Sequence, residues 1–268
     1  MVWQRNVIIK TSEEIEIMRQ AGHINALVHE TVRNLIQPGI TTAELDAVAE
    51  QVIRDHGGEP TFKGYPGPYP FPATLTISIN EALVHGIPGK KKLQSGDLVS
   101  IDCGTTYKGF VADSAISVGV GEIPKKARRL LEVTEKALQI GISKMQAGNR
   151  VGDISAAIQE YVEGHGYSVP REYTGHGVGR QMHEAPQVPN FGSAGRGLVL
   201  RPGITLAIEP MLLAGAYKTR VLPDQWTVVS ADGSLTAHFE HTVAVTENGP
   251  QILTILNESY GLNSKRLV

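Results

Sequence analysis

Residues 94–102 of the chain are QSGDLVSID, and residues 201–209 are RPGITLAIE. In both stretches a glycine precedes a short apolar run, and an acidic residue ends it, Asp102 in the first and Glu209 in the second. Short apolar runs bounded by glycine or proline are typical of buried strands. The two stretches therefore predict corresponding strands, each of which carries a carboxylate at its end.

The segments around these strands match in the same order. Before the strands, QPG at residues 37–39 corresponds to QAG at residues 146–148. After them, DSAI at residues 113–116 corresponds to EHTV at residues 240–243. Each match is weak alone, but their shared order indicates an internal duplication.

Apolar residues at helical spacing precede the strands of each copy. The first helix has Thr11 or Ser12 as its N-cap, with Glu14 following, and the second starts after Thr41 or Thr42. The predicted helices cover residues 11–35, 42–56, 124–145 and a fourth segment that ends at residues 165–166. We therefore interpret the chain as two helix–helix–strands units, over roughly residues 11–120 and 124–255.

Two α+β copies without a linker between them predict an α/β (α+β) fold with pseudo-twofold symmetry. We expect one domain over residues 1–268, with central antiparallel sheets and helices outside. The duplication equates Asp102 with Glu209 and Asp113 with Glu240. A pseudo-twofold axis would bring these four acids together in the central cleft.

Composition excludes several classes of protein. The 268 residues are 41% hydrophobic, enough for a large core, and their formal charge of -2 offers no basic field for nucleic acid. The single cysteine, Cys103, has no partner for an internal disulfide. Residues 1–20 are interrupted by charges and lack the apolar stretch of a signal peptide, and no run is long enough to span a membrane. We therefore expect a cytoplasmic protein that binds neither nucleic acid nor membranes.

The acids themselves predict a cation. If a hairpin is centred between Tyr107 and Lys108, Asp102 faces Asp113 directly, and like charges in that position are destabilising. The alternative is that one aspartate caps a turn and points to water. If all four acids converge, each pair at about 4 Å repels by about 4 kcal/mol at an effective dielectric constant of 20. Their four negative charges are balanced by two divalent cations, so the pattern favours a dinuclear metal site.

Three histidines are candidates for the same site. His176 lies in GHGVG at residues 175–179, where glycines allow a close approach to a ligand, and His183 follows shortly after. His85 lies in NEALVHGIP at residues 80–88. The alternative interpretations are an incidental loop histidine for His176 and a partly exposed turn histidine for His85.

Taken together, these motifs closely resemble the type I methionine aminopeptidases, from the first helix to about residue 254. The resemblance rests on the order of the four acids and His176, on SINEALVHGIP around His85, and on GHGVGRQMHEAP around His183. It implies the duplicated "pita-bread" fold and removal of the initiator methionine from nascent polypeptides whose second residue is small. No long insertion separates His183, Glu209 and Glu240, which favours type I over type II.

The resemblance also implies a role for each residue. Asp102 would bind one metal ion, Asp113 and Glu240 would bridge both ions, and His176 and Glu209 would complete the second site. A hydroxide held between the two ions would attack the scissile carbonyl, with Glu209 as a proton shuttle. His183 would stabilise the carbonyl oxygen, and His85 would contact the scissile amide nitrogen. The two divalent ions could be cobalt, manganese, iron, zinc or nickel.

The segment at residues 61–73, with four prolines and four aromatic residues, departs from the family pattern. In the family this segment lines the methionine pocket. We expect Tyr65, Phe62, Met182 and Trp226 to bind the substrate; the register of Phe62, Tyr69 and Phe71 stays open. The alternative is a polyproline II ligand for a partner domain.

Other interpretations stay open. A proline-directed peptidase of the same fold, such as prolidase or aminopeptidase P, is the nearest rival enzyme, and a pseudo-enzyme that has become a binding module is another. Cys103 is interpreted as a small strand residue that faces away from the metals, with a redox role as the alternative. We expect a monomer whose partners are nascent amino termini; docking on the ribosome is left open.

Overall fold

The computed structural model describes residues 7–256. Residues 1–6, on which part of the signal-peptide prediction rests, lie outside the described range. The described residues form four helices: α1 (Ser12–Leu35), α2 (Thr42–Asp55), α3 (Lys125–Ser143) and α4 (Val151–Gly164). These helices confirm the sequence prediction. Within residues 7–256, none of them is both long and apolar enough to cross a bilayer.

The first two helices begin with reciprocal caps. Thr11 is the N-cap of α1, because its hydroxyl accepts a hydrogen bond from the backbone N–H of Glu14 and the Glu14 carboxylate accepts one from the N–H of Thr11. Thr41 and Glu44 form the same pair at the start of α2. Each capping box satisfies two backbone donors that the helix leaves unpaired.

The described residues also form fourteen strands. They are β1 (Glu59–Pro60), β2 (Leu75–Ile79), β3 (Ala82–Val84), β4 (Leu98–Tyr107), β5 (Phe110–Gly119), β6 (Thr174–Gly177), β7 (Glu184–Pro189), β8 (Thr205–Ile208), β9 (Met211–Leu213), β10 (Thr219–Val221), β11 (Val228–Ser230), β12 (Thr236–His238), β13 (Glu240–Thr246) and β14 (Gly249–Ile252). The main sheet has the antiparallel order β1-β4-β5-β13-β8-β6-β7, with β2 paired to β4 and β14 to β13. Two small sheets, β10-β11-β3 and β12-β9, complete the structure.

The two copies join where β5 pairs with β13. Ser114 lies opposite His241, and Ala115 lies opposite Glu240. Ser114 and His241 are also the positions that the internal repeat equates, so an antiparallel pair between them is what a twofold axis through the sheet requires. The join between the copies is thus a strand pairing, and it places Glu240 beside the β4–β5 hairpin.

The predicted register of that hairpin was wrong by two residues. Lys108 and Gly109 form the turn with φ of 48° and 78°, and Tyr107 pairs with Phe110. Two successive residues with positive φ are typical of the type I′ turns that close two-residue hairpins. Asp102 consequently lies opposite Ala115, and Asp113 lies opposite Gly104. A shift of two residues keeps both acids on the same face, so they are diagonal rather than direct neighbours.

Helices cover the other face of the main sheet. Ile101 and Cys103 pack into a core that α1 and α2 supply with residues such as Val28 and Leu45. Side chains alternate between the faces of a strand, so Asp102, which lies between Ile101 and Cys103, points away from the helices. In the second copy, α3 and α4 pack against the strands in the same way. The acids therefore lie on the face opposite the cores that α1–α2 and α3–α4 form with the sheet.

Candidate metal centre and peptide cleft

Three candidate ligand groups converge on the face of the sheet that carries the acids. Asp113, His176 and Glu240 each offer one donor atom, and all three atoms lie within 4.8 Å of one another. The other two predicted ligands line the same cavity. Asp102 lies beside Asp113 and interacts with it, and Glu209 Oε1 lies 3.4 Å from His176 Nε2.

Each ligand comes from a different place in the sheet. Asp102 and Asp113 come from β4 and β5, His176 comes from β6, Glu209 follows β8, and Glu240 begins β13. The strands that join the two copies thus bring residues that are up to 138 positions apart in the sequence to one point. The structure brings together all five residues that the sequence analysis named as metal ligands.

The acids are held where their charges are unfavourable. Burial, and then repulsion from Asp113, raises the pKa of Asp102 and of Glu240 well above the usual range of carboxyl groups. Burial also raises the pKa of Asp113 to about 7. Burial, and then repulsion from Asp113, also raises the pKa of Glu209. The cluster therefore needs protons or cations to offset its charge.

Orphaned oxygens show that the cluster suits a cation. Asp102 Oδ1, Asp113 Oδ1 and Glu240 Oε1 are buried and have no hydrogen-bond partner. His176 complements them, because its Nδ1–H donates to the carbonyl oxygen of Gly177 at 2.9 Å, which leaves the lone pair on Nε2 facing the carboxylates. Burial lowers the pKa of His176 to about 4, so the ring is neutral. Carboxylate oxygens and a neutral imidazole nitrogen fit divalent metal ions.

His183 lies next to the ligands without being one of them. Its ring centroid is 4.3 Å from that of His176, and Tyr65 Oη lies 2.6 Å from His183 Nδ1. Burial, and then His176, lowers the pKa of His183 to about 4. His85 lines the same cavity with φ of 59°, and burial lowers its pKa to about 4 as well. Two neutral histidines thus flank the cluster.

An apolar pocket adjoins the metal ligands. The cavity has a volume of about 260 Å³, and Phe62, Tyr65, Met182 and Trp226, which the sequence analysis named as substrate contacts, all line it. Phe71, whose register was left open, lines it too, and its ring meets Trp226 edge-on with centroids 5.2 Å apart. Tyr69 is not part of the lining.

The proline-rich segment folds back onto the cleft. Gly64 N–H donates to Phe71 O, and Phe71 N–H donates to Tyr65 O, which closes the segment into a loop. Gly67 lies against Trp226 so closely that a Cβ would be 2.3 Å from its ring. Three of the four aromatic side chains of the loop, Phe62, Tyr65 and Phe71, form cavity wall, with Phe62 and Phe71 buried, whereas Tyr69 is exposed.

The sequence analysis missed His238. This buried side chain lines the cavity, and its Nε2 lies 3.7 Å from Glu240 Oε2 and 3.9 Å from Glu209 Oε2 without a hydrogen-bond partner. A signal was available, since His238 is two residues before Glu240, the spacing of side chains on one face of an extended segment. Tyr173 and Met211 in the lining were also missed.

Cys103 lies on the helix side of β4. Its Sγ is buried and lies 3.3 Å from Asn25 Oδ1. Burial, and then Asp102, raises the pKa of the thiol well above its ordinary value, which disfavours the reactive thiolate. This environment favours the interpretation of Cys103 as a structural strand residue.

Comparisons with known proteins agree with this geometry. The sequence matches metallopeptidase family M24 over residues 16–247. It is 50% identical over 250 residues to a methionine aminopeptidase of Clostridium perfringens, across 93% of this chain and 99% of that protein. The crystal structure of methionine aminopeptidase from Thermotoga maritima superimposes with a TM-score of 0.91 at 44% identity, across 93% of this chain and 100% of that one. An Xaa-Pro dipeptidase from Bacillus anthracis has a TM-score of 0.76 at 25% identity, and the match covers 63% of its chain.

Proposed function

The chain belongs to metallopeptidase family M24 and to its methionine aminopeptidases, and we propose that it removes the initiator methionine from the amino terminus of nascent polypeptides. The observation that carries this proposal is the position of an apolar pocket lined by Tyr65 and Trp226 directly beside the cluster of acids and His176. A methionine side chain in that pocket would hold its own carbonyl against the cluster.

The acids would hold two divalent ions. The three buried carboxylates and the partly buried Glu209 carry four negative charges if all are ionised, and two divalent cations balance them. Asp113 and Glu240 would bridge the ions, Asp102 would bind one of them, and His176 with Glu209 would complete the other. Bound ions would supply a Lewis acid for the scissile carbonyl and a water of lowered pKa as the nucleophile. Manganese, iron, cobalt, zinc and nickel are all compatible with this donor set.

The remaining residues handle protons and orient the peptide. Glu209 suits the role of proton shuttle, because its carboxylate lines the cavity beside the other acids, where it could accept a proton from water and release it to the departing amine. His183 is neutral and would donate a hydrogen bond to the scissile carbonyl as negative charge develops on its oxygen. His85, on the cavity wall, would contact the scissile amide nitrogen.

The cleft would select the residues on both sides of the scissile bond. The aromatic rings and Met182 offer a polarisable wall for the thioether, and a charged first side chain would lose its hydration there without a partner. The free α-amine of the peptide would be recognised near the acids. We also propose one catalytic domain over residues 1–268, a monomeric state and a cytoplasmic location, where nascent chains are met, with docking on the ribosome as a further question.

A peptide series tests the proposal. The metal-loaded protein should cleave Met-Ala-Ser efficiently and should leave Met-Leu-Ser, Met-Glu-Ser and acetylated Met-Ala-Ser nearly untouched. Leu-Ala-Ser should be a poor substrate, because a branched side chain fits the pocket less well than the unbranched thioether. The Asp102→Asn variant, assayed in parallel, controls for contaminating peptidases and should show almost no cleavage.

The rivals give different results in the same series. A proline-directed peptidase would cleave Ala-Pro peptides faster than Met-Ala-Ser. A binding module would cleave nothing with any of the divalent metals. Equal rates for all second residues, or for leucine and methionine in first place, would identify a broad-specificity aminopeptidase instead.

A further inference from the structure

A buried ion pair lies behind the loop that carries His183. Lys10 Nζ is 2.5 Å from Glu184 Oε2, and the two side chains are 2% and 3% exposed. Lys10 comes from the segment that precedes α1, whereas Glu184 directly follows His183 and begins β7. The pair thus joins two segments that are 174 residues apart in the sequence.

The carboxylate of Glu184 organises the loop before it. Its Oε1 accepts the backbone N–H of Arg180 at 2.6 Å and that of Gln181 at 3.1 Å, while its Oε2 receives Lys10. Gly179 makes room for this arrangement, since a Cβ there would be 2.3 Å from Lys10 Cε. One buried charge therefore fixes the turn at residues 180–184, and one lysine offsets that charge.

The rest of the loop is fixed by other contacts on the His176 side. Gly179 O accepts the N–H of Val111 at 2.7 Å, and Val178 N–H donates to Thr205 O at 3.2 Å. These bonds hold the first half of the loop to β5 and β8. In the half that ends at His183, Glu184 binds the backbone N–H groups of Arg180 and Gln181, and Tyr65 Oη contacts the His183 ring, so the two halves have separate supports.

The lysine is itself held firmly. Its backbone N–H donates to Gly203 O at 2.8 Å, and its Nζ also donates to Ile8 O at 3.2 Å. Without the ammonium group, the carboxylate of Glu184 would keep its two backbone N–H donors but would be a buried charge with no cationic partner, which proteins relieve by protonation or by movement. Either change weakens the acceptor that closes the turn next to His183.

We propose that Lys10 is a positioning residue that acts through Glu184 to hold His183 against the scissile carbonyl. The proposal rests on the proposed function, because it assigns Lys10 an effect on that reaction. Lys10 touches neither the cavity nor the ligands, and its contribution lies in the geometry of the loop. The simpler alternative is that the ion pair only fastens the segment before α1 to the protein.

A double-mutant cycle separates the two alternatives. Lys10→Met, assayed as the metal-loaded full chain on Met-Ala-Ser, should lower kcat by about tenfold or more and change KM less than about twofold. In a His183→Ala background the same substitution should change kcat by less than about twofold, because the residue through which it acts is gone. A fastening role would instead give the same loss in both backgrounds.

Two further variants complete the design. Lys10→Arg keeps the charge and should recover most of the kcat that Lys10→Met loses. Arg180→Gln is the matched control on the same loop, because it removes the ion pair between the exposed Arg180 side chain and Glu14 of α1 and keeps the backbone N–H that Glu184 binds; it should leave kcat unchanged. If Lys10→Met fails to fold, Lys10→Met/Glu184→Gln leaves no unpaired charge and takes its place in the cycle.

Metal content and unfolding temperature are measured for every variant. A loss of kcat that follows a loss of metal, equal losses in both backgrounds, or no loss at all would overturn the positioning role. Absence of Met-Ala-Ser cleavage by the unsubstituted protein would overturn the proposed function itself. The two failures are therefore distinguishable.

Discussion

Replacing Tyr65 by phenylalanine should lower kcat while leaving the methionine pocket intact. Burial, and then Asp113, raises the pKa of Tyr65, so its hydroxyl is protonated and can donate to Nδ1 of the neutral His183. A neutral imidazole that accepts at Nδ1 carries its proton on Nε2, where it can donate to a substrate oxygen. We therefore expect the hydroxyl of Tyr65 to favour the tautomer of His183 that the reaction needs.

The size of the effect follows from the single bond that is lost. A hydrogen bond in a protein contributes a net of about 1 kcal/mol, and 1 kcal/mol corresponds to about a fivefold change in rate. The contact between Tyr65 Oη and His183 Nδ1 is short, at 2.6 Å, so we expect a fall in kcat of about 2- to 12-fold. Phenylalanine keeps the ring that lines the pocket, so KM for Met-Ala-Ser should change little.

The matched control is Tyr69→Phe. Tyr69 lies in the same loop, but its hydroxyl donates to Asp224 O at 2.9 Å and does not reach His183. Steady-state kinetics on Met-Ala-Ser should show a lower kcat for Tyr65→Phe and an unchanged kcat for Tyr69→Phe. Unchanged kcat in Tyr65→Phe, a change confined to KM, or equal losses in both variants would refute the reasoning.

Three further predictions concern the acids and the thiol. Asp113→Asn should lower kcat/KM at least about 100-fold with an unchanged circular dichroism spectrum, because loss of an outer partner of a metal site alone costs 10–100-fold; near-normal activity would contradict its assignment as a bridging ligand. In metal-free protein, burial raises the pKa of Asp113 from 3.8 to about 7, so the stabilisation from its neutral form is present below about pH 4 and is lost as the pH rises through 7. The unfolding temperature of the metal-free protein relative to metal-free Asp113→Asn should therefore fall between pH 4 and pH 8, and a constant difference would contradict this. Cys103 should react with a thiol reagent only after unfolding, since its thiol is buried; stoichiometric labelling of the active native protein would restore the redox interpretation.

The sequence was sufficient where local patterns repeat. The four helices follow from apolar spacing, and at the first two Thr11 and Thr41 form the caps that the sequence predicts. The repeat equated Ser114 with His241, and these residues pair across the join between the copies. Convergence of the acids could be predicted because symmetry places equivalent positions near one axis.

Register and long-range contacts were harder to predict. The error in the β4–β5 hairpin arose because the turn needs positive φ at both Lys108 and Gly109. Of these two residues, only the glycine indicates positive φ in the sequence. The bond between Tyr65 and His183 and the pair of Lys10 with Glu184 join segments far apart in the sequence. No local periodicity encodes such contacts, since they depend on how loops pack after the sheet has formed.

The backbones beside the ligands are fixed by side chains from other elements, and this explains how the protein holds four acids in one place. On the helix side of the sheet, Asn25 Nδ2 from α1 donates to the carbonyl oxygens of Cys103 and Ala112, the neighbours of the two aspartates. Within the sheet, Thr242 Oγ1 accepts the N–H of Asp113 at 2.9 Å and donates to its carbonyl oxygen at 2.8 Å.

Glu209 is held in a similar way, because Asn190 Nδ2 donates to its carbonyl oxygen at 2.9 Å. Repelling acids separate whenever their backbones can move, and each of these bonds opposes that movement before any cation binds. Contacts made on folding therefore offset the repulsion among the acids, and metal binding then removes that repulsion. A site organised in this way needs little rearrangement when the metal ions bind. The ions are then held in fixed positions, which is the condition for positioning a peptide bond accurately against them.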